Sequence, residues 1–321
     1  MKQASTAWLE RIAPDEETHF VRVAKVIARL QAAKSAKYGG GRALHRKQLL
    51  AATGTVEVLP GLPAHARHGL FAQPGLHRAL VRLSSGGPDV QANKVPDIRG
   101  FALKVLDVSG PGAMGGMADH QDFLMINQDR LPTPDTREFI DFIEAATPGP
   151  LAGILHLFKA HGLGGFSRLR QLFAALGKKF NGFAAEQFNT VAPHACGPYA
   201  VRVRLKPAGN PPPAVRSKDI VEDMRERLAI GSLLWDVELQ FFVDEATTPI
   251  EDTSKAWPDS ETPLVTVARL TLPQQGTDAA AAEAEAAKFD PWSGLAAHRP
   301  LGEVMRARKV AYYESQKGRA A

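Results

Sequence analysis

Cysteine is nearly absent from this chain of 321 residues, in which Cys196 carries the only thiol. A single cysteine excludes an intramolecular disulfide and any metal site built from several thiolates. Long hydrophobic runs are also missing, since none approaches the ~20 residues that a membrane-spanning helix needs. Residues 1–14 lack the apolar core of a secretory signal. These absences favour a cytoplasmic protein without a membrane span.

Charge of one sign is not concentrated in the sequence either. The chain has 39 Lys and Arg against 34 Asp and Glu, a formal net charge of +5 and a pI of about 9.3. The basic residues are spread out and match no nucleic-acid-binding motif, so we expect no nucleic-acid partner. A hydrophobic content of 44% and a charged content of 23% are typical of a soluble globular protein. The positive excess suits an anionic small molecule.

Near the end of the chain, Arg308 and Tyr312 stand four residues apart. On a helix this spacing puts both side chains on one face, within reach of each other. A guanidinium beside a phenol favours the phenolate, and a phenolate is an uncommon but effective axial ligand for ferric haem. The same stretch also fits an ordinary basic helical tail, in which Tyr313 is a second phenol. The spacing alone leaves both interpretations open.

Two segments in the first third of the chain bear further residues suited to chemistry. Arg42 and His45 are three residues apart and precede a predicted strand at residues 55–59. Arg82 and Ser84 belong to an alternating segment, residues 79–85, which is typical of a strand. A strand arginine that faces inward needs an anionic partner. Considered singly, His45 also fits a loop and Arg82 also fits a solvent-facing position.

A glycine-rich segment at residues 110–115 matches the dinucleotide-binding pattern Gly-x-Gly-x-x-Gly. That pattern binds phosphate only when a helix begins within the glycines. Residues 120–127 instead have the composition of another strand. We therefore predict a connection between two strands here and no nicotinamide cofactor.

Taken together, these segments resemble the catalase family, in family order, from about residue 40 to the end. The proximal haem segment of catalases reads Arg-x-x-x-Tyr, an acidic residue two places on, Thr or Ser, and then Arg. The matching residues here are Arg308, Tyr312, Glu314, Ser315 and Arg319. The distal signature and the strands after it are matched at Arg42, His45, Lys47, Gly54, Glu57, Val58, Arg82 and Ser84, and by the segment Asp97-Ile-Arg-Gly-Phe-Ala-Leu-Lys104.

The resemblance implies a role for each matching residue. Tyr312 would be the iron ligand of haem b, and Arg308 would keep it anionic. His45 would be the distal acid–base, oriented by Ser84. The remaining arginines would neutralise the haem propionates, namely Arg42, Arg82 and Arg319.

Two further assignments follow from the same resemblance. The catalase strand Asp-Leu-x-x-Asn has its asparagine four residues after the aspartate, whereas this chain has Ile126 there and Asn127 one place later, after Asp122. We assign Asn127 as the distal asparagine because it is the only one available in this strand. Phe139, in a predicted amphipathic helix, is the candidate for stacking on the distal face of the haem.

The implied fold is α+β, with an antiparallel eight-stranded β-barrel of catalase type and haem held between the barrel and the surrounding helices. We expect a single domain over residues 1–321, with a helical arm at residues 1–39 and no C-terminal helical domain. The implied function is peroxide metabolism by a haem oxidoreductase, a catalase or peroxidase that acts on hydrogen peroxide through a ferryl intermediate.

Two alternatives remain open at this level. One is the conversion of fatty-acid or other organic hydroperoxides, as in the allene oxide synthases that share this barrel. The other is a haem-binding protein without catalytic activity. The resemblance also leaves room for a homo-oligomer.

Overall fold

The computed structural model describes residues 2–146, 149–213 and 219–319. Within these residues, nine strands form one antiparallel sheet. They are β1 (Gln48–Val58), β2 (Gly75–Ser85), β3 (Arg99–Pro111), β4 (Met117–Ile126), β5 (Phe188–Asn189), β6 (His194–Cys196), β7 (Tyr199–Ala208), β8 (Leu233–Phe241) and β9 (Leu264–Leu272).

The sheet closes on itself through the short strand β5. Ile126 of β4 pairs with Asn189 of β5, and Asn189 pairs in turn with Arg204 of β7. The ring then continues through β8, β9, β1, β2 and β3 back to β4, while β6 pairs with β7 outside the ring. Closure leaves the main strands without a free edge. The predicted eight-stranded antiparallel barrel is therefore confirmed.

Seven α-helices accompany the barrel in the described part of the chain. They are α1 (Glu16–Tyr38), α2 (Thr136–Ala146), α3 (Pro150–His161), α4 (Gly165–Gly177), α5 (Ile220–Ile230), α6 (Ala281–Ala286) and α7 (Glu303–Lys317). The long helix α1 lies within the segment expected to form a helical arm, and it packs on α7. None of the helices in the described ranges combines the length and hydropathy needed to cross a bilayer.

Strand alternation divides the side chains of β1 to β4 between two faces. The inward side chains fill the core of the barrel, among them Val81, Leu83, Phe101, Leu103 and Phe123. The outward side chains form a second apolar cluster with the segment around α6, consisting of Ala51, Leu80, Ala102, Leu124, Ala280, Ala284, Ala287 and Phe289. This outer face continues along β2 and β3 to the residues of the candidate site.

The glycine-rich segment after β3 connects two strands, as predicted. β3 and β4 pair as far as Pro111 and Met117. Gly115 and Gly116 have φ values of 89° and 68°, which favour glycine in the turn. No helix begins within these glycines, so the segment lacks the helix N-terminus that a dinucleotide phosphate would need.

Candidate functional site

His45 lies in the connection between α1 and β1, in an unusual backbone conformation. Its φ is 49°, in the left-handed region that residues other than glycine seldom occupy. The His45 N–H donates to the carbonyl of Gly86 at 2.9 Å, and Arg82 Nη2 donates to the carbonyl of His45 at 3.1 Å. Contacts on both sides of the residue therefore hold the imidazole in one place, as strained functional positions require.

The His45 ring sits over the outer face of the barrel beside Ser84 and Gly100. Its Nδ1 lies 3.0 Å from Ser84 Oγ, a hydrogen bond that leaves Nε2 for another partner. A Cβ at position 100 would lie 2.5 Å from His45 Nδ1 and 2.6 Å from Ser84 Oγ. Glycine is therefore required there for the His–Ser pair to fit.

The surroundings keep the His45 imidazole neutral. Burial, together with the positive charges of Arg82, Arg308 and Arg42, lowers the pKa of His45 to about 3. A neutral imidazole with Nδ1 engaged and Nε2 available is a proton acceptor at any pH above that value.

Tyr312 and Arg308 form the second half of the site, on α7. Arg308 Nη2 donates to Tyr312 Oη at 2.8 Å, so the four-residue spacing produces the expected contact. Because the charge of Arg308 also depresses the pKa of His45, the two halves lie within electrostatic reach of each other. The structure thus brings together residues that are more than 260 positions apart in the chain.

Hydrogen bonds to α1 and to the distal loop hold one side of α7. Gln31 Nε2, on α1, donates to the carbonyls of Gly41 and Ser315 at 2.7 and 2.9 Å. Ser315 Oγ accepts from the N–H of Ala43 at 3.3 Å. The loop that carries His45 and the helix that carries Tyr312 are therefore tied directly to each other.

A buried polar chain holds the other side of α7 to the barrel. Lys104 Nζ, on β3, donates to both carboxylate oxygens of Asp122 on β4, at 2.7 and 2.9 Å. Asp122 also accepts from the N–H of Asp290, and Asp290 accepts from Gln316 on α7, both at 3.0 Å. Gln316 is one helical turn after Tyr312, so this chain fixes the turn that carries the phenol.

Three arginines converge around Glu285, two on its carboxylate and one on its backbone carbonyl. Arg42 Nη1 donates to Glu285 Oε1 at 2.6 Å, and Arg82 Nη2 lies 3.3 Å from Glu285 Oε2. Arg319 donates to the carbonyls of Glu285 and Ala287, and Arg42 to those of residues 284, 285 and 287. These carbonyls lie at the C-terminal end of α6, where the helix dipole favours cations.

The arginine cluster has more positive charge than its surroundings balance. Arg42 and Arg82 share the single carboxylate of Glu285, and Arg319 contacts only backbone carbonyls, so among the described residues three positive charges are matched by one negative charge. Burial, together with the positive charge of the neighbouring Arg82, lowers the pKa of Arg42 to about 9. Burial likewise lowers the pKa of Arg82, whose side chain is only 3% exposed. Anionic groups placed here would relieve this repulsion.

The structure does not bring Asn127 together with His45. Its Oδ1 accepts from the N–H of Arg99 at 2.8 Å, in the interior. Ile126, one residue earlier, pairs directly with Gly100, and directly opposed strand residues point to the same face. Since Gly100 lies against His45, Ile126 and not Asn127 is on the side of the imidazole.

Phe139 lies close to both halves of the site without contacting the aromatic residues in it. It packs in the cluster formed by α1, α2 and α7, together with Ala43 and Ala311, which are neighbours of Arg42 and Tyr312 in the sequence. Its role in stacking on a haem stays a prediction.

Two residues that organise the site were missed in the sequence. Glu285 stands in an alanine-rich segment whose composition predicted a helix and nothing more. Its arginine partners lie between 34 and 243 positions away in the sequence. Arg46, 6% exposed, donates to the carbonyl of Arg42 at 2.8 Å and to that of Gly39, and so braces the loop before His45. Its position beside His45 was the only signal, and basic residues in loops are too common for that signal to be useful.

Comparison with solved structures identifies the fold. A fungal catalase and catalase A from Saccharomyces cerevisiae each match with a TM-score of 0.68 and 18% sequence identity, and a bacterial catalase matches with 0.64 and 16%. Each alignment covers 99% of this chain and 66%, 67% and 63% of the respective catalase, so this chain spans about two thirds of their length. No protein-family model and no curated protein matches the sequence.

The chain therefore has the catalase fold. The expected resemblance is confirmed at the level of the fold, by structures whose sequences have diverged too far to establish an activity or a substrate.

The close approach of Gly100 to the His45–Ser84 pair gives the first test. Gly100→Ala should displace the imidazole and lower the free energy of unfolding by about 1–3 kcal/mol, because overpacking forces a shift in a tight site. Nitrogen NMR of the His45 ring should show loss of the Nδ1 hydrogen bond, and urea denaturation should report the stability.

Gly276→Ala is the matched control, because a Cβ at position 276 meets nothing within 4 Å. An unchanged His45 ring spectrum in Gly100→Ala would contradict the geometry described for this pair.

Proposed function

We propose that this protein binds haem b and uses it to metabolise peroxides. The observation that carries the proposal is the pairing of Arg308 with Tyr312 within electrostatic reach of the pairing of His45 with Ser84. A phenol that accepts from a guanidinium is suited to ligate ferric iron, and a neutral imidazole in the same site is suited to move a proton.

The residues fit a haem in charge as well as in ligand chemistry. Haem b carries two propionate carboxylates, and the arginine cluster has two positive charges more than Glu285 balances. Arg42, Arg82 and Arg319 would hold the propionates through charge-assisted hydrogen bonds. The solved structures that share this fold are catalases, which supports the same cofactor and reaction class.

The chemistry of the chain itself is proton transfer at His45. Bound haem would supply the iron that accepts a peroxide oxygen and exchanges electrons with it. With haem bound, His45 Nε2 would take a proton from one oxygen of hydrogen peroxide and return it to the other, which would leave as water when the O–O bond breaks. For Nε2 to accept that proton, Nδ1 must carry a hydrogen and donate it to Ser84 Oγ. Ser84 therefore fixes both the orientation and the tautomer of the imidazole.

Turnover on hydrogen peroxide alone consumes two molecules and yields two waters and one dioxygen. An organic donor in place of the second peroxide makes the same protein a peroxidase. Both activities use the same first proton transfer at His45, which is why the proposal covers them together.

One observation favours organic hydroperoxides as a second class of substrate. Ile126 lies on the same face as Gly100, beside His45, and places an alkyl side chain where a carboxamide would add a hydrogen-bond donor. An apolar group there weakens the binding of a small polar peroxide and accommodates an alkyl chain.

Replacement of His45 tests the proposed proton transfer. In the haem-loaded protein, His45→Gln should slow peroxide cleavage by about 10²–10⁴-fold, which is the usual contribution of a positioned acid–base. Haem binding should persist, because this residue is not the proposed ligand. Stopped-flow absorbance of the haem band measures both quantities.

The pH profile sharpens this test. The folded-state pKa of His45 is depressed to about 3. The rate of peroxide cleavage by the wild type should therefore not fall when the pH is lowered through 6.5, the ordinary pKa of histidine. His77→Gln is the matched control, since the His77 ring lies 3.2 Å from the carbonyl of Asp107, near the start of β2 and away from Ser84 at its end. Equal rates in His45→Gln and wild type would refute the assigned role.

The contribution of Ile126 is tested by changing its polarity. Ile126→Asn should raise oxygen evolution from hydrogen peroxide relative to turnover of a tertiary alkyl hydroperoxide, because the amide offers a hydrogen bond beside His45. The ratio of the two initial rates is the measurement. Leu124→Asn, two residues away on the same face but within the apolar cluster at α6, serves as the control, and an unchanged ratio in Ile126→Asn would contradict the assignment.

A further inference from the structure

Helices α3 and α4 form a hairpin that presents large apolar side chains to solvent. We define the α3–α4 hairpin as residues 149–179, with a short turn at residues 162–164 between the helices. Its exposed apolar residues are Leu151 (69% exposed), Leu155 (61%), Leu163 (87%), Phe166 (64%) and Phe173 (59%). Leu151 and Leu155 share one face of α3, and Phe166 and Phe173 share one face of α4, because of their spacing. A concentration of exposed Leu and Phe of this kind marks an interaction surface.

The same hairpin is strongly basic. Residues 145–185 contain five Lys and Arg and no Asp or Glu. Lys159, Arg170 and Lys179 are exposed and form no ion pair with any residue in the described ranges. The even spread of charge inferred from the whole sequence is therefore interrupted here by a segment of one sign.

Polar contacts at its base hold the hairpin to the rest of the protein. Arg168 pairs with Glu138 of α2 at 3.1 Å. Gln128 Nε2 donates to the carbonyl of Ala175 at 2.9 Å, and Lys178 Nζ to the carbonyl of Asn127 at 2.6 Å. These contacts use Arg168 and Lys178 and leave Lys159, Arg170, Lys179 and the exposed Leu and Phe side chains free to face a partner.

We propose that the α3–α4 hairpin docks this protein onto the surface of a bilayer that contains anionic lipid. Exposed Leu and Phe side chains insert at the boundary between headgroups and acyl chains, and the Lys and Arg side chains contact the headgroup phosphates. The hairpin lies on the membrane and does not cross it, in agreement with the absence of a spanning helix in the described residues.

The charge pattern favours lipid over the other occupants of such a surface. A second copy of this chain would bring the same basic surface against itself in a symmetric contact, and like charges would repel. A nucleic acid would match the basic residues but would leave the five Leu and Phe side chains in water. Anionic lipid satisfies both features of the hairpin at once.

Vesicle binding by the purified full chain tests the proposal. Flotation should show binding to phosphatidylcholine vesicles that contain about one third phosphatidylglycerol and far weaker binding to pure phosphatidylcholine. Each Lys or Arg near an anionic surface contributes about fivefold to the partition coefficient, so Lys159→Glu/Arg170→Glu/Lys179→Glu should reduce binding at least a hundredfold. Binding should also weaken as salt rises, because salt screens the attraction.

The matched control reverses three exposed basic residues elsewhere, in Lys25→Glu/Arg67→Glu/Lys94→Glu. It changes the net charge equally and should retain most of the binding. Wild-type protein that does not float with anionic vesicles, or equal losses in the hairpin variant and the control, would overturn the proposal. The assay uses neither haem nor peroxide, so its result is independent of the proposed function.

The apolar contribution needs a second pair of variants. Leu163→Ser/Phe173→Ser should lower the vesicle partition by about tenfold or more, because two large apolar side chains no longer insert. Leu76→Ser/Met117→Ser, at positions 69% and 71% exposed, should have little effect. If the hairpin pair instead converts a dimer to a monomer and the wild type ignores the vesicles, a second copy covers this face and the proposal is wrong.

Discussion

The attachment of α7 to α1 and, through a buried polar chain, to the barrel is the constraint on which the candidate site depends. Two sets of hydrogen bonds hold the turn of α7 that follows Tyr312. Ser315 and Gln31 tie it to the distal loop, and Gln316 ties it to Asp290. Arg308, the partner of Tyr312, thereby lies within electrostatic reach of His45.

The buried ion pair of Lys104 and Asp122 is connected to α7 through Asp290 and Gln316. Asp122 is fully buried and Lys104 is 7% exposed, so each charge depends on the other for its stabilisation. Loss of one partner of such a pair typically costs about 3–5 kcal/mol, because an uncompensated charge stays in the interior. The stability of the barrel and the position of Tyr312 therefore rest on the same contact.

The arginine cluster has an excess of positive charge that favours the binding of anions. Glu285 and the carbonyls at the end of α6 orient three guanidiniums but neutralise only part of their charge. Burial lowers the pKa values of Arg42 and Arg82, and the repulsion between neighbouring arginines adds to that effect. A ligand with two negative charges would neutralise the excess positive charge of these arginines. The charge of the site therefore supports the proposed cofactor independently of the proposed iron ligand.

The resemblance of several short motifs to the catalase family predicted the fold, and local spacing predicted individual contacts such as that of Arg308 with Tyr312, whereas contacts between distant segments were not predicted. The contact between Arg308 and Tyr312 could be predicted because a four-residue spacing brings side chains together on any helix. The shared face of Arg82 and Ser84 could be predicted because side chains alternate along any strand. The placement of Asn127 beside His45 was not predicted correctly, because a shift of one residue moves a strand side chain to the opposite face of the sheet. Glu285 was missed because its contact with Arg42 spans 243 positions, and no local pattern records such a pair.

The central claim is that Tyr312 is the ligand of a haem iron, and haem titration of two tyrosine variants tests it most directly. Tyr313 is the matched comparison, since it is adjacent, 60% exposed and outside the contact with Arg308. We predict that Tyr312→Phe loses the high-spin ferric tyrosinate spectrum and binds haem at least tenfold more weakly than the wild type. Tyr313→Phe should retain the wild-type spectrum and affinity. An unchanged spectrum and affinity in Tyr312→Phe would contradict it.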